Sequence, residues 1–145
     1  LEKSPKPSPS KSESVPEILK HEVEFTIENL KNNKSPGEDG ISNETVKNGK
    51  KVIIPILTKI YNRILQTEKI PEQWTKSQIV LLFKKGDKTD IKNYRPISLI
   101  PCLFKIFTTI IQRRIYKNLD EFQPVEQAGF RKGFSTIDHL HTINQ

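Results

Sequence analysis

Apolar residues recur along this chain with two different spacings. Three segments carry an apolar residue every three or four positions, which is typical of amphipathic helices. They are 16–33, 51–68 and 102–119. A short helical segment is also predicted to begin near Asn43, after a turn rich in glycine and proline. Two further runs, Ile79–Phe83 and Tyr94–Ile100, have the length and composition of strands. The pattern predicts a mostly helical α+β fold with one antiparallel hairpin.

The two ends of the chain differ in composition from the middle. Residues 1–14 contain five serines, three prolines and one apolar residue, so they cannot bury enough surface to offset the entropy of ordering. We interpret them as a disordered linker and residues 15–145 as a single partial domain. A last helix is predicted from Ser135 or Thr136 to Gln145. Trp74, which follows the helix predicted at 51–68, is predicted to lie in the core.

The charge is unevenly distributed. The chain has a formal net charge of +7, but residues 1–50 hold 8 basic and 9 acidic groups, so the other 95 residues hold a net +8. Residues 91–119 contain six basic side chains and no acidic one. Such a field favours a polyanion, nucleic acid before an anionic membrane. The simpler alternative is a solvated basic helix face.

Several classes of protein are excluded or disfavoured. Cys102 is the only cysteine, which excludes an internal disulfide and a cysteine-rich zinc site and fits a reducing intracellular setting. No apolar run approaches the roughly 18–20 residues of a membrane span, and the polar N-terminus is not a signal peptide. His139 and His141 do not share a helix face, so a metal site there is not expected. The chain begins with Leu and stops inside a predicted helix, which suggests a fragment.

The most informative chemistry lies at one end of the predicted hairpin. Lys84 and Lys85 follow the first strand, and Arg95 opens the second. Antiparallel pairing would bring these cations together on one rim, which could hold polyphosphate. The planar guanidinium of arginine gives bidentate phosphate contacts that a flexible lysine does not match. The alternative for Arg95 is that it is an ordinary surface cation.

Five short motifs occur in a specific order. They are Ser35-Pro36-Gly37-x-Asp39-Gly40-Ile41, Ile70-Pro71-x-x-Trp74, Lys84-Lys85-Gly86-Asp87, Asn93-Tyr94-Arg95-Pro96-Ile97-Ser98-Leu99 and Gln127-x-Gly129-Phe130-Arg131. This succession resembles the N-terminal part of the reverse transcriptase of non-LTR (LINE-type) retrotransposons. The resemblance covers the chain from about Val15 to its last residue.

The resemblance implies an RNA-directed DNA polymerase with fingers, palm and thumb, of which this chain would supply the fingers and an incomplete palm. It implies that Arg95 contacts the triphosphate of the incoming nucleotide and that Lys84 or Lys85 is the lysine of the fingers. It places Arg131 near template or nucleotide; a tight packed turn at Gly129 and Phe130 is an equal alternative for that segment.

No catalytic residue and no metal ligand is predicted in this chain. Polymerases use two metal ions about 3.5–4 Å apart, held by carboxylates. In the family that the chain resembles, these carboxylates come from a palm strand and from a Tyr/Phe-x-Asp-Asp turn, both further along the chain. The five aspartates here are never adjacent to one another. We therefore expect no cofactor in this fragment, Mg²⁺ in the full-length parent, and no polymerisation by this piece alone.

The partners implied by the resemblance are an RNA template, a DNA primer, a deoxynucleoside triphosphate and the missing palm and thumb, without a membrane. The expected location is intracellular, in the nucleus or in a ribonucleoprotein. Two other interpretations stay open at this point. One is a non-catalytic nucleic-acid-binding remnant, and the other is a pseudogene product that is at most partly folded.

Overall fold

A computed structural model describes residues 15–122 of the chain. Its helices and strands are α1 (Lys20–Glu28), α2 (Asn43–Asn48), α3 (Lys50–Thr67), β1 (Gln78–Phe83), β2 (Tyr94–Leu99) and α4 (Cys102–Phe122), with single 3₁₀ turns at Glu72–Trp74 and Ile91–Asn93. The described residues up to Ile110 belong to one compact unit, and the remainder of α4 belongs to a second. The predicted α+β class with an antiparallel hairpin is confirmed.

The core of the first unit lies between helices. Its buried apolar residues come from the segment before α1, from α1 to α3, from the 3₁₀ turn at Trp74 and from the start of α4. They are Ile18, Val23, Ile27, Val46, Ile54, Leu57, Tyr61, Ile64, Trp74, Cys102, Ile106, Phe107 and Ile110. Neither strand of the hairpin contributes a buried residue to this core. The hairpin is therefore attached to a helical core rather than built into it.

An aromatic cluster joins three elements at the centre of the core. The ring of Tyr61, which is fully buried, lies 6.0 Å from that of Trp74 and 5.3 Å from that of Phe107. The Trp74 ring lies 5.9 Å from that of Phe104. The hydroxyl of Tyr61 donates a hydrogen bond of 2.8 Å to the carbonyl oxygen of Leu103, which satisfies its one polar atom. The predicted core role of Trp74 is confirmed.

Helix α1 is shorter than the sequence predicts, because side chains from other elements hold the residues on either side of it. Asn62 of α3 accepts a hydrogen bond from the Ile18 N–H (2.7 Å) and donates one to the Ile18 carbonyl (2.9 Å). These two bonds attach residue 18 to α3, Leu19 is extended, and the helix begins at Lys20. Glu22 then accepts from the Leu19 N–H at 2.8 Å, the arrangement of one half of a capping box. The predicted start at residue 16 is wrong.

The helix also ends earlier than residue 33, because α2 binds the chain that follows. The side chain of Asn43 donates to the Lys31 carbonyl at 2.6 Å, and the Glu44 carboxylate accepts from the Asn33 N–H at 2.6 Å. Asn43 also accepts a hydrogen bond of 3.0 Å from the thiol of Cys102 at the start of α4. This buried amide therefore connects the loop, α2 and α4.

Helices α3 and α4 lie where the sequence predicts, but the face that each buries is rotated slightly. In α3 the buried residues are Ile54, Leu57, Tyr61 and Ile64, whereas the predicted stripe also included Ile53 and Ile60, which are half-buried. In α4 the predicted Phe107 and Ile110 are buried, and Ile106, which the predicted stripe did not include, is buried as well. None of the helices in the described part of the chain is long and apolar enough to cross a membrane. The predicted linker 1–14 and the predicted last helix lie outside the described residues, and the proposed domain boundary stays a prediction.

Candidate functional site

The two predicted strands pair as an antiparallel hairpin, and the structure gives its register. Residues Gln78 to Phe83 face Leu99 to Tyr94 in antiparallel order, and Leu82 lies opposite Arg95. One further hydrogen bond, from the Lys84 N–H to the Asn93 carbonyl at 2.8 Å, extends the ladder past the last strand residue. The lysines and Arg95 are therefore at the same end of the hairpin, next to the turn that connects its strands.

Alternation along the strands assigns these cations to faces. Directly opposite residues of an antiparallel pair project to the same side, and each strand alternates between sides. Leu82 and Arg95 consequently share one face. Lys84 is two residues beyond Leu82 and pairs with Asn93, so it lies on that face too, as the diagonal neighbour of Arg95. Diagonal neighbours are roughly 7–8 Å apart, within reach of long side chains. Two cations can thus converge on one anion.

The opposite face carries an aromatic pair. The rings of Phe83 and Tyr94, which are cross-strand partners, lie 5.5 Å apart at 61°, an edge-to-face geometry that stabilises such pairs. The ammonium of Lys88 lies 5.8 Å from the centre of the Phe83 ring, within the range of a cation–π contact. The two faces of the turn end are therefore chemically different, one cationic and one aromatic.

Residues 84–93, which we call the lysine turn, are held by hydrogen bonds among themselves. The Asp87 carboxylate accepts from the Thr89 N–H at 2.9 Å, and this bond lowers the pKa of Asp87. The Asp90 carboxylate accepts from the Lys92 N–H at 3.0 Å. Both are the Asx contacts that short polar side chains make in turns. The carboxylates nearest the lysines are thus used in shaping the turn rather than in an ion pair with Lys84 or Lys85 among the described contacts.

The electrostatic character of the site is positive and open to solvent. From residue 84 to residue 95 the chain has five basic and two acidic side chains. Lys84, Lys85 and Arg95 are all exposed. An exposed cluster of this kind binds a multiply charged anion through several moderate contacts and loses affinity as salt rises.

The glycine-containing segment 35–41 forms a packed junction, not an open loop. A Cβ atom at Gly37 would lie 2.7 Å from the Pro101 nitrogen and 2.8 Å from the Ile100 carbonyl carbon. Gly40 adopts a positive φ of +66°, which glycine tolerates without strain. The sequence predicts a turn here but not this contact, in which Gly37 lets the segment touch the backbone between β2 and α4.

The sequence also missed a role for the two residues before Arg95. The side chain of Asn93 donates to the Asp87 carbonyl at 2.8 Å, and the Tyr94 hydroxyl donates to the Lys88 carbonyl at 2.9 Å. Asparagine beside a turn is a common signal for such contacts, but a sequence does not tell which carbonyl is the acceptor.

Two sequence predictions concern groups beyond this site. Arg131 lies outside the described residues. Among the side chains that the structure describes, no three His, Cys, Asp or Glu residues are grouped so that they could hold a metal ion. These side chains therefore do not fit the Mg²⁺ site implied for the parent.

Comparison with known proteins places this segment in a family. No protein-family model matches the chain. It is 35% identical over 125 residues to the "Probable RNA-directed DNA polymerase from transposon X-element" of Drosophila melanogaster, covering 84% of this chain and 14% of that protein. It is 34% identical over 129 residues to the RNA-directed DNA polymerase from the mobile element jockey of the same species, covering 87% and 14%.

A third relative comes from another insect. The retrovirus-related Pol polyprotein from the type-1 retrotransposable element R1 of Bradysia coprophila is 31% identical over 133 residues, covering 90% of this chain and 13% of that protein. The chain thus spans about one seventh of the length of the curated relatives it matches. These matches cover nearly all of the residues that carry the motif succession. The chain belongs to the family of non-LTR (LINE-type) retrotransposon reverse transcriptases, and it corresponds to a segment of those polymerases.

Proposed function

We propose that this segment forms part of the fingers of a reverse transcriptase and holds the triphosphate of the incoming deoxynucleotide at the turn end of its hairpin. The observation that carries the proposal is the register of the hairpin, which puts Lys84 and Arg95 on one face as diagonal neighbours. Arg95 supplies bidentate contacts to one phosphate, and Lys84 supplies a second charge. Lys85, one residue further into the turn, adds to the same positive field.

The hairpin needs further protein to complete it. Ile79 and Leu81 on one face are 65% and 49% exposed, and Leu82 and Ile97 on the other are 49% and 40% exposed. Single exposed apolar residues are normal, but contiguous patches mark interaction surfaces. The relatives are about seven times longer than the segment matched here. We assign the cover over these faces to the palm and thumb of the longer polymerase.

The same assignment gives the wider partners. In the longer polymerase the RNA template and the DNA primer lie against the segment, Arg131 lies near template or nucleotide, and Mg²⁺ is bound by carboxylates outside residues 15–122. The basic residues of 91–119 support an electrostatic attraction to nucleic acid. These assignments rest on the family relationship and on charge.

The test is a titration of the purified chain with thymidine triphosphate in the presence of a metal chelator, followed by NMR of the arginine side-chain N–H groups and the backbone amides. Arg95→Ala is compared with Arg63→Ala, which removes an exposed arginine of α3. Hydrogen bonds to charged groups contribute about 1.5–3 kcal/mol, so Arg95→Ala is expected to weaken binding at least tenfold. Arg63→Ala is expected to bind as the parent does.

Equal affinities for the two variants would refute the assignment of Arg95. Chemical-shift changes centred on α3 or α4, instead of on the residues around Lys84 and Arg95, would move the triphosphate site elsewhere. Arg95→Ala is not expected to disturb folding, because residue 95 is exposed.

A further inference from the structure

We propose that Asn93 and Tyr94 are positioning residues, which hold the lysine turn so that Lys84 stays beside Arg95 and Lys85 stays at the same end of the hairpin. The inference rests on the proposed function of the hairpin and assigns roles in it to two residues that contact no phosphate themselves. It starts from the hydrogen bonds within and around residues 84–93, which contribute no buried residue to the core.

Asn93 closes the lysine turn from one side through three hydrogen bonds. Its carbonyl accepts from the Lys84 N–H (2.8 Å), its own N–H donates to the Asp90 carbonyl (3.0 Å), and its side-chain amide donates to the Asp87 carbonyl (2.8 Å). The first bond fixes the backbone of Lys84 directly. The third fixes the chain that follows Lys85.

Gly86 makes this closure possible. Its φ is +96°, and a Cβ atom there would lie 2.7 Å from the Asn93 side-chain nitrogen. Glycine therefore supplies both the positive φ and the space that the Asn93 amide occupies. The glycine between the lysines and Asp87 and the asparagine before Tyr94 are parts of one arrangement.

Tyr94 closes the turn from its other side. Its ring packs against Phe83 on the aromatic face, and its hydroxyl donates to the Lys88 carbonyl at 2.9 Å. Because Tyr94 is adjacent to Arg95 in β2, the same strand segment presents the arginine on one face and ties down the turn on the other. The distance between the lysines and the arginine is thereby fixed through the backbone.

These contacts do not serve the core. Every residue from 84 to 92 is exposed, and Asn93 and Tyr94 are only half-buried. A ten-residue exposed turn without such bonds would sample many conformations, and each would place Lys84 and Lys85 differently relative to Arg95. Binding to a flexible site costs free energy, because the site must become ordered. A site that is already ordered avoids this cost. The hydrogen bonds of Asn93 and Tyr94 thus increase affinity for a polyphosphate without touching it.

The test uses Tyr94→Phe, which removes one hydroxyl and keeps the ring, and Asn93→Ala, in the 145-residue chain. The probes are thymidine triphosphate and inorganic tripolyphosphate, titrated in the presence of a metal chelator. Each variant is expected to bind both probes about three- to tenfold more weakly than the parent, with a midpoint of thermal unfolding within a few degrees of it. Equal affinities of parent and variants for both probes would overturn the inference.

A double-mutant cycle separates positioning from general loosening of the chain. Residues that act through one another give non-additive effects, whereas independent sites add. Lys84→Ala is expected to cost clearly less affinity in the Tyr94→Phe background than in the parent. Lys59→Ala, an exposed lysine of α3, is the control and is expected to have the same small effect in both backgrounds. Additivity of Lys84→Ala with Tyr94→Phe would contradict a positioning role.

The outcome also distinguishes this inference from the proposed function. If Arg95→Ala weakens binding while Tyr94→Phe and Asn93→Ala do not, the inference fails and the triphosphate site stands. If the parent chain itself shows no binding that depends on Arg95, the proposed function fails, and the positioning role fails with it.

Discussion

At the scale of single residues, two asparagines connect elements of this segment. Asn43, which is buried, links the loop after α1 to α4, and Asn62, which is half-buried, attaches Ile18 to α3. No buried side-chain nitrogen or oxygen in the described part of the chain lacks a hydrogen-bond partner, as folded proteins require. Neither asparagine stood out in the sequence, because a side-chain amide bonds equally well to water on a surface.

Cys102 gives a prediction for pH dependence. Burial, helped by the nearby Asp39 carboxylate, raises the pKa of its thiol from 9.0 to about 11. Between these values the unfolded chain has lost the thiol proton and the folded chain keeps it. The stabilisation is complete below about pH 9 and is lost as pH rises towards 11. We expect the free energy of unfolding to fall over this window.

The measurement is chemical denaturation of the parent and of Cys102→Ala between pH 8 and pH 11. Two other groups also affect how the free energy of unfolding depends on pH in this range. Burial raises the pKa of Tyr61, and hydrogen bonding to Glu28 raises that of Lys50. The difference in free energy of unfolding between parent and variant isolates the contribution of the thiol. This difference should shrink by roughly 1.4 kcal/mol per pH unit within the window. A pH-independent difference would show that the thiol is not protected in the folded chain.

At the scale of elements, the segment 35–41 packs against the backbone just before α4. Gly37 touches the backbone between β2 and α4, so this loop fixes the hairpin and the helix relative to each other within the first unit. Proline and glycine in the sequence predict a turn. They do not tell whether a glycine is required for a positive φ or for a close approach of another backbone. Here Gly40 has the positive φ, and Gly37 permits the close approach.

The two glycines predict different outcomes of substitution. Gly37→Ala is expected to lower the free energy of unfolding by about 1–3 kcal/mol, because the added methyl group meets backbone atoms that cannot move independently. Gly40→Asn is the control, because a Cβ atom added at Gly40 would have no neighbour within 4 Å other than its adjoining residues, and asparagine tolerates a positive φ. Urea denaturation of both variants is the measurement. Similar midpoints would mean that the close approach at Gly37 is not constrained.

At the scale of the whole molecule, stability is concentrated in the helices of the first unit. Both faces of the hairpin are largely exposed, and a two-stranded hairpin is at best marginally stable in water without a packed face. The aromatic cluster around Tyr61 holds α3, the Trp74 turn and α4 together. The proposed binding site is thus on the less stable part of the fold.

Native-state hydrogen exchange tests this distribution. Amides of β1 and β2 are expected to open with a free energy about 2 kcal/mol or more below that of amides in the middle of α3, such as Leu57 and Tyr61, because local opening of the hairpin exposes little new apolar surface. Exchange of both groups at one common free energy would show instead that the hairpin unfolds only with the core.

The α+β class, the antiparallel hairpin and the family could all be predicted from the sequence. Apolar periodicity reflects local chain geometry, and the order of motifs is a property of the chain itself, so neither requires knowledge of which residues pack together. The strand register, the two ends of α1, the glycine that permits a close approach and the closure of the lysine turn by Asn93 and Tyr94 became known only from the folded chain. Each of these depends on a contact between residues whose pairing the sequence does not specify, since a side-chain amide, a hydroxyl or a glycine can serve many partners equally well.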